Sequence, residues 1–312
     1  MEVPTYKHNL GGGFHLTAYS IDPQITSGEL GKCIENSLLE TKGKSPANLG
    51  KLSGDIQHLG SYKEFSELQL QPSFDKYEMP AQLHKHRDAV KLKFSDSIIV
   101  YREGEVSVPG KVIKGEYRDF VSTHLKRVPS QLVPEEYPDG KTIAELLLEW
   151  GLSKNNVAKY LGFAHFMRPS NGDEFSFIYR SKNVHIAPDC MAISGSTPKF
   201  PEQFNHEGFS FDEYFRNHLA DEMEEEYCLN REEFDIGKIH LMNDVTEIPF
   251  AVIEITTPLS TEELAHKAYD QPKPKKEHSI FFSTEGRGLE KVLDQFDVFP
   301  STARVMDMLK SR

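Results

Sequence analysis

Phe211-Asp-Glu-Tyr-Phe-Arg-Asn-His-Leu-Ala-Asp-Glu-Met-Glu-Glu-Glu-Tyr-Cys-Leu229 is the stretch on which the reading of this chain turns. Wound as a helix at about 100° per residue, it puts Phe211, Phe215, Leu219 and Leu229 along one side. That is the apolar stripe of an amphipathic helix facing a core. Glu222 and Glu226 fall on the same side and Glu225 at its edge, whereas Glu213, Asp221 and Glu224 lie opposite. Three carboxylates turned inward would repel one another and lose hydration. A divalent cation reverses both penalties, and carboxylate oxygens are the donors that Mg²⁺ prefers. Spacing alone leaves a second possibility open: the helix leaves its neighbours by Glu222 and the charges are simply solvated. Negative charge at a helix C-terminus opposes the macrodipole, which favours a specific reason for the cluster.

Outward from that helix, strand signals dominate. Upstream, Tyr160 to Met167 predicts a strand, Asn171-Gly172 a hairpin turn, and Glu174 to Tyr179 a second strand. A short strand at Met191 to Ile193 and a glycine turn at Gly195 follow, then a loop over 199–208. Downstream, Ile236 to Met242, Phe250 to Thr256 and Ser279 to Ser283 read as strands, Phe250 to Thr256 most clearly because it is β-branched and apolar. Ser260-Thr-Glu-Glu263 opens a helix with a capping box, and Thr302 to Leu309 is a terminal helix. Gln271 to Glu277, with Pro272, Pro274 and several lysines, is a surface loop.

The first half is less readable. Leu10-Gly-Gly-Gly13 lacks the Gly-Lys-Ser/Thr of a phosphate loop and reads as a flexible turn. A short helix is expected over Ile34 to Thr41, Gly115 to Phe120 leads into another, and strands are expected over 91–95 and 97–101. Lys141 to Leu152, with Ile143, Leu146, Leu147 and Trp150 at helical spacing, predicts a helix. A soft boundary near residue 155 divides an N-terminal α+β region, 1–155, from a second unit, 156–312.

Composition bounds the function. The chain has 312 residues, 38% hydrophobic and 27% charged, with a formal net charge of −12. Without a surplus of Lys and Arg, general binding to nucleic acid or to an anionic membrane is not expected. A small phosphorylated substrate is compatible with an acidic pocket when metal ions stand between the two sets of negative charge. Cys33, Cys190 and Cys228 form no close pair, which argues against zinc and redox motifs and suits a reducing compartment. No apolar run reaches the roughly 20 residues of a membrane span. The opening residues, Met-Glu-Val-Pro-Thr-Tyr, carry no signal-peptide pattern. A soluble, intracellular, cytoplasmic protein is expected.

Two hairpin strands, Arg180-Ser181, Ala187-Pro188, a glycine turn at Gly195 and a helix ending Glu222-Met-Glu-Glu-Glu226 occur here in the order found in Nudix hydrolases, which the chain resembles. That family's box ends Arg-Glu-aliphatic-any-Glu-Glu-any-Gly-aliphatic. Glu222, Glu225 and Glu226 match its carboxylates, Met223 and Leu229 its aliphatic positions, and Glu213 an upstream glutamate. Asp221 replaces the arginine and Cys228 the glycine, and an insertion separates Gly195 from the helix. Within the family the chain resembles the UDP-sugar pyrophosphatases, through Tyr117-Arg-Asp-Phe120, Phe177-Ile-Tyr-Arg-Ser181, Val184, Ala187-Pro188 and Ile280-Phe-Phe282.

The resemblance implies an α/β fold, a Nudix-type α/β/α sandwich with a mixed sheet, preceded by the N-terminal α+β region. It implies metal-dependent hydrolysis of a nucleoside diphosphate linked to another moiety, foremost a UDP-sugar to UMP and sugar 1-phosphate. Glu222, Glu225 and Glu226 would hold Mg²⁺ or Mn²⁺ and carry the catalysis, and Arg180, Gly195 and Ser196 would meet the substrate. Arg180 suits a phosphate contact, although an exposed strand-end arginine explains it equally. Gly195 would allow a tight turn beside the metals. Glu285 is a weaker choice for an acid or base, and His218 reads as a packed histidine. Two alternatives stay open: a decayed box that binds or senses a nucleotide without cleaving it, and a hydrolase of ADP-ribose, NAD(H), coenzyme A or capped RNA.

Overall fold

The computed structural model describes residues 2–40, 57–61, 71–73, 96–101, 111–116, 127–128, 141–142, 159–169, 173–180, 190–202, 210–243, 249–270 and 278–310. The chain begins with β1 (Thr5–Gly11) and β2 (Phe14–Ser20), a hairpin, followed by α1 (Ser27–Asn36) and β3 (Gln57–Ser61). β4 (Gln71–Ser73), β5 (Asp96–Tyr101) and β6 (Lys111–Glu116) come next, then β7 (Arg127–Val128), β8 (Lys141–Thr142) and β9 (Lys159–Tyr160). β10 (Gly162–Pro169), β11 (Glu174–Arg180), β12 (Cys190–Ala192) and β13 (Ser194–Ser196) lead to α2 (Phe211–Tyr227). The remainder is β14 (Asp235–Asn243), β15 (Pro249–Thr257), α3 (Thr261–Tyr269), β16 (His278–Glu285), α4 (Gly288–Gln295) and α5 (Pro300–Lys310).

The fold is mixed α/β, organised on an open, mixed, ten-stranded sheet. Its order is β1-β2-β16-β11-β10-β15-β14-β3, with β12 also on β11 and β13 also on β10. β10 and β15 run parallel at its centre, from Gly162 opposite Phe250 to Pro169 opposite Thr257. A strand buried on both faces should read as a continuous apolar run. Ala251, Val252, Ile253 and Ile255 are each fully buried, which is why Phe250 to Thr256 was so legible.

Alternation along the strands sorts side chains between the two faces. Ala251, Ile253, Ile255, Ile178, Phe281, Phe163 and Met167 pack with α2 and α3. Phe250, Val252, Phe177, Tyr179, Phe282, Ala164 and Phe166 pack with α1, α4 and α5. Burying each large side chain contributes roughly 2 kcal/mol.

The sheet crosses the soft boundary at residue 155. β2 pairs with β16 and β3 pairs with β14, so strands from the N-terminal half complete the sheet of the C-terminal half. The expected turn at Leu10–Gly13 is the β1–β2 hairpin turn, with Gly11, Gly12 and Gly13 all at positive φ. The first helix lies earlier than the expected Ile34 to Thr41: its start is fixed by the capping box of Thr26 and Glu29. Lys111–Glu116 is a strand that takes in the first two residues of the 115–120 segment, and Lys141–Thr142 is a strand at the start of the expected 141–152 helix. The rest of those two segments, with Trp150, the expected strand at 91–95, the turn at Asn171-Gly172, the segment 181–189 and the loop 271–277, lies outside the described residues.

Candidate functional site

Helix α2 starts at Ser210, whose side chain accepts from the Glu213 N–H. It ends on a left-handed residue, Cys228, at φ 59°. The Cys228 N–H donates to the Glu224 carbonyl, the 5→1 bond of an αL cap, and the Leu229 N–H donates to the Met223 carbonyl. Leu229 is therefore buried through the cap and not through helical phase.

This moves the buried face from where the sequence put it. Phe215, Leu219, Met223 and Tyr227 form its centre, a fully buried i, i+4 ridge. On a 100° helix Glu226 stands about 40° from that centre, Glu222 about 80° and Glu225 about 140°. Burial follows that order: the Glu226 side chain is 6% exposed, the Glu222 side chain 21%, and Glu225 is exposed. The expectation of three inward carboxylates is thus corrected to two. Among the described residues, no three His, Cys, Asp or Glu side chains form a ready metal-ligand group.

The second i, i+4 ridge of α2 is polar: Tyr214, His218, Glu222 and Glu226. Tyr214 donates to the Lys199 carbonyl. His218 Nε2 lies 3.0 Å from Ser196 Oγ and 3.7 Å from Glu222 Oε1. Both contacts use the same ring nitrogen, whereas a Ser-His-carboxylate relay needs the acid on the other one. Ser196 is therefore a hydrogen-bond partner of His218 and not an activated nucleophile. Glu226 Oε1 lies 3.6 Å from Nε2 of His278, the first residue of β16.

Beneath this ridge, β10 and β13 contribute more polar groups. His165 faces Ser194, and Phe163 faces Ser196, across the antiparallel pair. Phe163 packs edge-on against Phe215 at 4.8 Å and lies 5.5 Å from the His218 ring. His165 is fully buried with no hydrogen bond to either nitrogen; burial, then the neighbouring His218, pull its pKa down to about 3. Burial, then Lys199, pull His218 down to about 4. Both imidazoles are neutral at pH 7, as the packed-histidine reading of His218 required. The Tyr227 hydroxyl is pushed far up by burial and then by Glu226; Ser194, its polar neighbour, opposes the rise without the geometry of a formed hydrogen bond.

The other expected residues divide. Arg180 ends β11 on the same face as Ile178, opposite His278, with its guanidinium 5.6 Å from the Phe299 ring centre. Gly195 is not in a turn: Ser194–Ser196 is extended and pairs with β10. A Cβ at Gly195 would come 3.1 Å from the Phe163 carbonyl, so glycine serves the close approach of the two strands. Glu285 is exposed at the far end of β16, seven residues or roughly 23 Å from His278, so it is not brought to this site. His165, Ser194, Tyr227 and His278 were missed. The 218-222-226 spacing was a readable signal for the polar ridge; the strand residues carried none, because only the pairing brings them under α2.

No protein-family model matches the chain, and no curated protein matches its sequence.

Proposed function

We propose that this chain is a Nudix-type hydrolase that cleaves a nucleoside diphosphate linked to another moiety, with a UDP-sugar the favoured substrate. The observation that carries this is the end of α2. Two carboxylates one turn apart, Glu222 and Glu226, lie on the inward side, and the chain then reverses through Cys228 in the left-handed conformation where the family's box has glycine. A box sequence without that geometry would be coincidence; here the residue aligned with the glycine adopts the backbone that glycine favours.

The donors fit a hard divalent cation. Mg²⁺ is commonly held by one or two protein carboxylates together with water and substrate phosphates, so a third inward ligand is not required. Glu222 and Glu226 would hold it, and Glu225, exposed, is the weaker donor. Such a cation supplies charge neutralisation on the phosphate oxygens and acidifies a bound water. Arg180, at the same end of the sheet as Glu226, offers a guanidinium to the second phosphate. In the reaction a water oxygen bonds to one phosphorus and the bridging P–O bond breaks. The bridging oxygen leaves with the second phosphate, giving UMP and sugar 1-phosphate from a UDP-sugar.

Product formation from a panel of UDP-sugars, ADP-ribose, NADH, coenzyme A and capped RNA, with Mg²⁺ and with EDTA, tests the proposal. Metal-dependent UMP release from UDP-glucose is expected. AMP release would keep the hydrolase and discard the UDP-sugar assignment. A folded protein that binds nucleotides in EDTA and turns none over would establish the binding-only alternative, which the exposure of Glu225 and the replacement of the box arginine by Asp221 favour.

A further inference from the structure

We propose that His278 is a positioning residue for Glu226: its ring N–H steers one carboxylate oxygen and so fixes the carboxylate for a divalent cation. This rests on the metal-binding role proposed for Glu226. The two side chains are enclosed together, His278 at 5% and Glu226 at 6% exposure, with Nε2 and Oε1 3.6 Å apart. An enclosed carboxylate is stabilised by donors aimed at it, and a polarised donor also orients it.

The backbone shows how the pair is made. Along β16, Phe281 points to the α2 face, while Ile280 and Phe282 point away. Strict alternation would send His278 away with Ile280. The pairing with β11 is irregular at this point: Ile178 opposes Phe281, yet Arg180 opposes His278, so two steps on β11 match three on β16. One extra residue restores the α2-facing phase, and His278 reaches Glu226. The same irregularity places His278 beside Arg180, so the groups assigned to cation and phosphate converge at one end of the sheet.

The test is the affinity of the full chain for Mn²⁺, measured by calorimetry, in the wild type, Glu226→Gln, His278→Phe and His278→Gln. The Phe variant keeps a ring without a donor, and the Gln variant keeps a donor at about the Nε2 position. Loss of an outer partner of a metal ligand typically costs about 10–100-fold in affinity. That loss is expected for His278→Phe, with His278→Gln near wild type and Glu226→Gln weakest of all. Wild-type affinity in His278→Phe, with binding lost in Glu226→Gln, overturns the positioning role and leaves the proposed function standing. Unchanged affinity in Glu226→Gln overturns both. If His278→Phe does not fold, His278→Leu, which likewise lacks a donor, takes its place beside His278→Gln: a loss of about tenfold or more in the Leu variant with near-wild-type affinity in the Gln variant supports the role, and wild-type affinity in the Leu variant overturns it.

Discussion

Glu226 and His278 meet at 3.6 Å although they come from different layers, one from the last turn of α2 and the other from the first residue of β16. The contact joins the helix that resembles a Nudix box to the strand end that carries Arg180 opposite it. Burial also ranks the three carboxylates at the end of α2. Glu226 is enclosed, Glu222 partly so and Glu225 exposed, and their contributions should follow that order. Glu226→Gln is expected to lower kcat/KM by at least the roughly 10–100-fold that loss of an outer-shell partner costs. Glu225→Gln should lower it by less than about tenfold. Steady-state kinetics on the two variants, with equal circular dichroism, check the ranking; equal losses would contradict it.

Burial of His165 and His218 makes stability depend on pH. Both pKa values are depressed, to about 3 and about 4, from 6.5. The folded state therefore binds fewer protons than the unfolded state below pH 6.5. Their contribution is fully present above pH 6.5 and is lost as pH falls toward 4 and then 3. Each contributes a slope of up to about 1.4 kcal/mol per pH unit in that window. Urea unfolding at pH 7, 6 and 5 should show the decline, and His165→Phe should flatten it. The same slope in the variant would exclude His165 as a source.

The left-handed cap gives a test of backbone geometry. Cys228 holds φ 59° while its side chain is buried. A left-handed conformation costs a non-glycine residue about 1–2 kcal/mol, and a β-branched one more. Cys228→Gly exchanges relief of that strain for a lost buried thiol and should fall within about 1 kcal/mol of wild type. Cys228→Val should lose about 2 kcal/mol or more. Thermal unfolding that finds the valine variant as stable as the glycine variant would refute the cap.

Gly288 is a position where added volume has nowhere to go. A Cβ there would lie 2.0 Å from Thr284 Oγ1, whose hydroxyl donates to the His15 carbonyl at 3.0 Å. Gly288→Ala should destabilise by about 1–3 kcal/mol. Much of that should disappear in a Thr284→Ala background, a coupling that a double-mutant cycle measures. Additive effects would show that the two positions do not collide.

What the sequence revealed depended on whether the signal was local. β15 was legible because a doubly buried strand is apolar throughout, and α3 because Ser260 and Glu263 cap each other reciprocally. The Thr26–Glu29 box is equally local and sets the start of α1. The polar ridge of α2 was half visible. Treating Leu229 as part of the helix rotated the inferred face toward Glu225; the helix stops two residues earlier, and Met223 and Tyr227 set the true face. His278, Ser194 and His165 could not be read, because a bulge and strand register, both set by pairing between distant segments, bring them to α2. Fold architecture followed the same rule: β2 and β3 join strands more than 150 residues away, and no local pattern announces that.

The most direct test is the initial rate of UMP release from UDP-glucose by the wild type and by Glu226→Gln, each with saturating Mg²⁺ and each with EDTA. The predicted result is Mg²⁺-dependent release by the wild type that falls to the EDTA level in the variant while its fold is retained. Equal Mg²⁺-dependent rates in the two proteins would contradict the account, because turnover would then proceed without the carboxylate at its centre.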